Sequence, residues 1–380
     1  MPTLDRLKIL HIAAWYPSEA SPTDATFIRE HIRCAAIYND ATVWAFYIYR
    51  KPGGRSWERQ DSVEHGIPTV RTWKPFGWAS KLRYLIQLRA WANFGGKLIE
   101  ERGPFDLIHA HPYPAGVVAA LLGRRFKLPV VVTEHWTGFQ RGLLTPSEKL
   151  KAHFAFAHAR RVMPVSPFLQ AQIERCGLHP RFEIVPNAIE TDLFHPADCP
   201  PPPPWRLLTV ANLIPHKGIP ILLEAIRRLQ EQGTDLRLTI LGDGPDRAEY
   251  QQLCDRLGVS GIVEFKGSVP KPEVARLMQA SHVLVHPSLI ETFSCVIAEA
   301  LCCGLPVVAS DIPPLPDLVN PSNGLLFQPG DAMALERVLL QMFADYTRYD
   351  RAAIASATSA RYNYAAVGAR FDRIYREVIK

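Results

Sequence analysis

The 380 residues predict two doubly wound α/β domains in tandem, on two observations: a repeated alternation of element types, and a stiff break between two such alternations. Before the break, short β-rich apolar runs at 7–13, 41–47, 107–110, 130–133, 161–164 and 182–185 alternate with helical stretches. After it, runs at 206–210, 236–241, 262–265, 282–286 and 306–309 do the same. Short apolar runs separated by amphipathic segments argue parallel strands joined by crossover helices. The break is Asp198-Cys199 followed by five consecutive prolines to Pro204. Such a run can join neither a helix nor a sheet ladder, so the expected domains are 1–198 and 199–363.

The intervening helices have legible faces. In 219–232, Ile219, Leu222, Leu223, Ile226 and Leu229 fall on one side, the spacing of a helix laid on a sheet. Ligands of doubly wound sheets bind at the carboxyl ends of the strands, so the loops that follow the strands, and a cleft between the domains, are where chemistry is expected.

Composition narrows the class. The chain is 47% hydrophobic and 21% charged, as in a soluble globular protein. It has no apolar run of about eighteen residues to span a membrane, and its N-terminal residues lack the apolar core of a signal peptide. The seven cysteines are odd in number and scattered, which fits reduced thiols and a cytoplasmic location rather than a disulfide framework. Net charge is +6 but uneven. Residues 1–198 hold 25 basic against 18 acidic side chains, the remainder 18 against 19, so the first half is expected to meet something anionic. No nucleic-acid partner is indicated.

The densest signal lies in Glu291-Thr292-Phe293-Ser294-Cys295-Val296-Ile297-Ala298-Glu299, between the buried run ending near His286 and a helix stopped by Gly304 and Pro306. Glu291 reads as a strand-to-helix turn and Glu299 as a position roughly two turns into the helix. The amides around Phe293 to Cys295 would face a ligand with the positive end of the helix dipole, a ready site for phosphate. Carboxylates accept paired hydroxyls. One segment could hold the phosphate and the hydroxyls of two sugars, the outline of a nucleotide-sugar site.

Other loops after strands add to it. Lys217-Gly218 opens the 219–232 helix as a diphosphate clamp; a lone lysine there would be ordinary. Gly242-Asp243-Gly244-Pro245 offers small residues for close approach of backbone to a ligand, although such turns are common. The strand end 265–269, through Val269, could meet a base edge. In the first half, His135 in Thr133-Glu134-His135 follows a buried strand and can donate to a sugar or phosphate. His109 and His111 resemble a metal pair, but no third ligand is evident from spacing, which favours a structural or cleft-lining role. The loop 15–27, ending in Thr26 and Phe27, lacks the G-x-G-x-x-G dinucleotide fingerprint, as does the rest of the chain. Walker A, H-E-x-x-H and D-x-D patterns are absent too. Residues 73–91 mix aromatic and basic side chains at helical spacing: an ordinary surface helix is the better reading, a surface that docks on anionic membrane the alternative.

Taken in order, these motifs resemble glycosyltransferase family 4, retaining enzymes of the GT-B fold. The resemblance runs from Leu7 to about Tyr375 and is carried by His286–Ser310 with its E-x7-E pattern, by Lys217-Gly218, Gly242-Asp243-Gly244-Pro245, 185–194 and Asn323-Gly324, and in the first half by Trp15-Tyr16-Pro17 and Thr133-Glu134-His135. It implies that His135, Lys217 and Glu291 serve catalysis: His135 at the transferring sugar or phosphate, Lys217 at the leaving diphosphate, Glu291 on a sugar hydroxyl. It places Asn212, Gly242, Gly244, Val269, Thr292, Phe293, Ser294, Cys295 and Glu299 around the donor, with Glu299 on the ribose, and Thr26 and Phe27 on the acceptor side. No metal or cofactor is implied, and residues 364–380 would cross back to the first domain. Departures are Asn212 for the usual arginine, Ser294 and Ala188 for glycines, and Pro313-Pro314 for paired glycines; these put an altered donor pocket in view.

The expected activity is retaining transfer of a hexose from a nucleotide-diphosphate sugar to a glycan or lipid-linked acceptor, in surface polysaccharide synthesis. The competing readings are a non-catalytic binding or scaffold protein with the same fold, and a Rossmann oxidoreductase. The polar set at 135, 217, 291 and 299 argues against the first, the missing glycine fingerprint against the second.

Overall fold

A computed structural model describes residues 5–18, 25–47, 58–73, 81–197 and 203–380. The chain forms two compact units, Met1–Ala188 with Tyr364–Lys380, and Ile189–Asn363.

In the first unit, β1 (Lys8–Ala13), α1 (Thr26–Tyr38), β2 (Asp40–Tyr47), β3 (Glu58–Glu64), β4 (Ile67–Trp73), α2 (Lys81–Arg102), β5 (Leu107–His111), α3 (Tyr113–Phe126), β6 (Val130–Glu134), α4 (Pro146–Ala157), β7 (Arg161–Pro164) and α5 (Pro167–Arg175) follow one another. The sheet order is β3-β4-β2-β1-β5-β6-β7. Strands β5 and β6 are buried at every position, as parallel strands covered on both faces must be.

The second unit contains β8 (Trp205–Val210), α6 (Ile219–Glu231), β9 (Leu236–Leu241), α7 (Arg247–Leu257), β10 (Val263–Gly267), α8 (Lys271–Gln279), β11 (Val283–His286), α9 (Cys295–Cys302), β12 (Val307–Ser310), β13 (Gly324–Phe327), α10 (Ala332–Ala344) and α11 (Arg351–Tyr362). Its six strands lie in the order β10-β9-β8-β11-β12-β13, every neighbouring pair parallel. All carboxyl ends therefore lie along one edge, and the order reverses beside β8, between β8 and β11. The face expected for α6 is the buried one: Ile219, Leu222, Leu223, Ile226 and Leu229 enter the core with β8, β9 and β11.

The last helix, α12 (Tyr364–Ile379), belongs to the first unit. Its Phe371, Ile374 and Tyr375 share a core with Ile9, Leu107, Val131 and Met163.

Four sequence expectations need correction. The division falls at Ala188/Ile189, before the proline run rather than at it, because the Ile189 N–H donates to Tyr362 O and ties this segment to the second unit. Residues 182–185 form no strand. They run beside β7, with Val162 N–H donating to Arg181 O, Glu183 N–H to Val162 O and Val185 N–H to Pro164 O, but the pairing amounts to a single bridge at Phe182. The β3–β4 hairpin was not expected, β3 being charged; its turn has positive φ at both His65 and Gly66, the conformation that suits a tight hairpin. The short β13 was also missed.

Candidate functional site

Three loops meet at the carboxyl ends of β8, β9 and β11. The loop after β8 contains a short 3-10 turn, Pro215–Lys217, closed by Gly218 at φ 69°. Leu289 N–H donates to His216 O at 2.8 Å, which joins this loop to the one after β11. Across the joint, Lys217 Nζ donates to Glu291 Oε1 at 2.6 Å. His286, the last residue of β11, places Nε2 at 2.9 Å from the same oxygen. Both contacts fall on Oε1. Among the described residues no group donates to Oε2, so this oxygen can accept a ligand hydroxyl.

Glu291 is buried. Burial is the largest single influence on its carboxyl and opposes ionisation. The Lys217 charge and the His286 hydrogen bond together outweigh it, and hold the group well below the usual carboxylate range. The result is a buried acceptor, ionised at neutral pH, at the point where the strand order reverses, the position at which doubly wound sheets take ligands.

Helix α9 begins at Cys295, not directly after Glu291. Ser294, at φ 76° and ψ 82°, is left-handed and cannot continue a helix toward Phe293. Glu299 therefore stands just over one turn in, half-buried, rather than two turns. No side chain caps this helix, and the Phe293 and Ser294 amides donate to no main-chain carbonyl among the described residues. Cys295 and Thr292 are half-buried, and Phe293 sits edge-on against Tyr362 at 5.5 Å. Asn212 is exposed on the loop after β8, and Val269 half-buried just beyond β10.

The glycines of the β9 loop have a structural consequence within the chain. A Cβ on Gly242 would lie 2.0 Å from Ala211 O, and one on Gly244 would lie 2.3 Å from Leu213 O. The close approach they permit is between two loops of the chain.

The first unit gathers five buried histidines at the same end of its sheet: His11 on β1, His31 on α1, His109 and His111 on β5, and His135 after β6. The neighbours of His109 and His111 that spacing did not reveal thus come from another strand, a helix and the loop after β6. His135 packs on Phe27 (4.7 Å between ring centres) and on His31 (5.1 Å). Thr26 is the first residue of α1. Burial, then the charge of His31, drives the His135 imidazole well below its ordinary pKa, while a hydrogen bond with Asn187 opposes the shift; the ring is neutral at neutral pH.

Glu134 shapes this loop. Its carboxylate accepts from the amides of Tyr113 (3.0 Å), His135 (2.9 Å) and Trp136 (3.0 Å). Burial nonetheless pushes its pKa up to about 7, against those three amides. Sequence reasoning quoted Glu134 and His286 within its motifs without giving either a role, and it missed His11 and His31, which carry no local signal.

Of the basic stretch 73–91, residues 74–80 lie outside the described residues. The remainder opens α2, where Leu85 and Ile86 are exposed beside exposed Arg89. Among the described residues no helix is long and apolar enough to cross a membrane.

Comparison with known proteins agrees with both units. Residues 195–359 match the family described as glycosyl transferases group 1, and residues 34–188 match the glycosyl transferase 4-like domain. A putative teichuronic acid biosynthesis glycosyltransferase, TuaC of Bacillus subtilis, is 27% identical, with 96% of this chain and 95% of that protein covered. The gpi3 subunit of phosphatidylinositol N-acetylglucosaminyltransferase from Schizosaccharomyces pombe is 26% identical over 73% of this chain. The match spans 62% of that subunit, less than two thirds of its length. The crystal structure of HepE from Anabaena in complex with UDP superposes with a TM-score of 0.76 at 21% identity, covering 98% of this chain and all of that one. That likeness, with the two parallel-sheet units, identifies the GT-B fold. Because both halves match, each in its own unit and in chain order, the chain belongs to the group 1 glycosyltransferases of the family 4 type.

Proposed function

We propose that this glycosyltransferase moves a hexose from a nucleotide-diphosphate sugar to a hydroxyl of a glycan or lipid-linked acceptor, with the anomeric configuration kept and without a metal at the diphosphate. The observation that carries this reading is Glu291, held ionised through Oε1 by Lys217 and His286 with Oε2 open to a sugar hydroxyl. Lys217 has two further ammonium protons for the leaving diphosphate, beside the uncapped start of α9, and this positive charge does what a metal does elsewhere. Glu299 takes the ribose hydroxyls, and neutral His135 meets the transferring sugar. Asn212, Gly242, Gly244, Val269, Thr292 and Cys295 complete the donor surroundings, and Thr26 and Phe27 face the acceptor. The HepE protein has been crystallised with UDP-glucose, which supports a nucleotide-sugar donor here. The TuaC relative's name supports a surface polysaccharide as the product's destination, on the cytoplasmic side of the membrane.

Incubation with UDP-, GDP- and ADP-sugars, following nucleotide release, tests the reading. One donor is expected to turn over, and Glu299→Ala to raise its KM about tenfold or more by removing a charge-assisted hydrogen bond. Absence of release with every donor, or an unchanged KM in the variant, would contradict it. The exposed Leu85, Ile86 and Arg89 support peripheral contact with anionic membrane. Co-sedimentation with phosphatidylserine vesicles should fall in the triple glutamine variant, and an undiminished bound fraction would refute the contact.

A further inference from the structure

The five-histidine cluster holds more nitrogen than a sugar contact needs, and its hydrogen bonds sort the nitrogens by availability. His109 is fully engaged, with Nδ1 2.6 Å from Tyr375 Oη and Nε2 2.7 Å from Thr133 Oγ1. His31 differs. Its Nε2 lies 2.9 Å from Pro186 O, and a carbonyl can only accept, so Nε2 carries the proton and Nδ1 the lone pair. That Nδ1 is buried with no hydrogen-bond partner. His111 Nε2 lies 3.3 Å from His11 Nδ1, and its own Nδ1 is likewise buried without a partner. When His111 donates to His11, its Nδ1 is a second unsatisfied lone pair. His135 lies beside both, with ring centres 5.1 Å from His31 and 6.3 Å from His111. One ligating nitrogen from each of His31, His111 and His135 lies within 4.8 Å of the other two.

We propose that His31, His111 and His135 form a binding site for a divalent transition-metal ion of the zinc type, with a fourth position left for water. Two buried lone pairs without donors are costly, and a soft-accepting cation removes that cost. Zinc takes imidazole nitrogen at about 2.0–2.1 Å, so the three nitrogens need only draw inward by ring rotation. Magnesium and calcium, which require oxygen ligands, do not fit. The carbonyl of Pro186 orients His31 from behind, as outer partners of metal-bound histidines do. A consequence, resting on the proposed role of His135 in transfer, is that bound zinc withdraws this ring and slows the reaction.

The test uses the full chain stripped with chelator and titrated with cobalt(II). An intense visible absorption saturating at one equivalent and abolished by zinc is expected; only the weak spectrum of six-coordinate cobalt would overturn the site without recourse to any variant. His111→Ala, and His31→Gln, which keeps a donor for Pro186 O, should each weaken zinc binding at least about 100-fold. His153→Ala, at an exposed position on α4, should leave it unchanged. Equal affinity in folded His31→Gln and His111→Ala would overturn the assignment. If the cobalt band appears but zinc leaves the transfer rate unaltered, the coupling to transfer is refuted and the site stands. If no donor turns over at all, the proposed reaction fails while the band still decides the site.

Discussion

Replacing Lys217 with methionine should lower transfer at least about 100-fold, the scale for losing one preorganised charge at a leaving group, and should cost roughly 3 kcal/mol of stability at neutral pH. The second effect follows from what remains. Lys217 and Glu291 are mostly buried, with 18% and 11% of their side chains exposed. Without the ammonium, Glu291 is left as a buried carboxylate supported by His286 alone. The pH dependence then separates this mechanism from a simple packing loss. In the wild type the Glu291 pKa is depressed on folding, so its contribution is present above the ordinary carboxylate value near 4.5 and is lost as pH falls through the lowered folded value. In the variant, burial acts unopposed by the lysine and raises the pKa, so ionisation becomes a penalty as pH rises. The stability gap between the two proteins should therefore narrow from pH 7 toward pH 4. Urea denaturation at both values measures it, and a gap independent of pH would reject the ion pair as the cause. Adding Glu291→Gln to Lys217→Met should restore stability without restoring transfer.

Gly218→Ala is expected to be as damaging, for a steric reason. Gly218 has φ 69°, and a Cβ there would lie 2.1 Å from Pro287 O, a main-chain atom that cannot swing aside. Gly258 provides the control, since it has the same φ of 69° with nothing within 4 Å of its virtual Cβ. Alanine at 258 should cost only the left-handed backbone strain, about 1–2 kcal/mol. Alanine at 218 should cost about 3 kcal/mol or more, because the β8 and β11 loops must part as well. Parting them pulls Lys217 from Glu291, so transfer should fall with stability. Equal melting temperatures for the two variants would show that the loops yield freely and that their contact does not position the lysine.

Much of the candidate site in the second unit was legible because its motifs are local. Lys217-Gly218 at a helix start, and Glu291 and Glu299 across a strand-to-helix turn, are separated in sequence as their elements are separated in space. The start of α9 was misplaced because the left-handed Ser294 is a conformation that a serine does not announce; a glycine there would have signalled it. That Gly242 and Gly244 let two loops of the chain approach was not legible, because a glycine gives the same signal whether a ligand or another loop approaches it. The hairpin of β3 and β4 was missed since β3 is charged and largely exposed, without the alternation that betrays a buried face.

The sequence by itself determined the two α/β units and the family, because strand–helix alternation and loop motifs depend on neighbours along the chain. Tertiary structure alone decided two things. It placed Lys217 and His286 on one oxygen of Glu291, leaving the other open, and it drew histidines from β1, α1, β5 and the loop after β6 into one buried cluster. Both arise from parallel strands that lie side by side while their residues are far apart in sequence, and burial then turns those meetings into electrostatics: a carboxylate kept ionised, and imidazoles kept neutral.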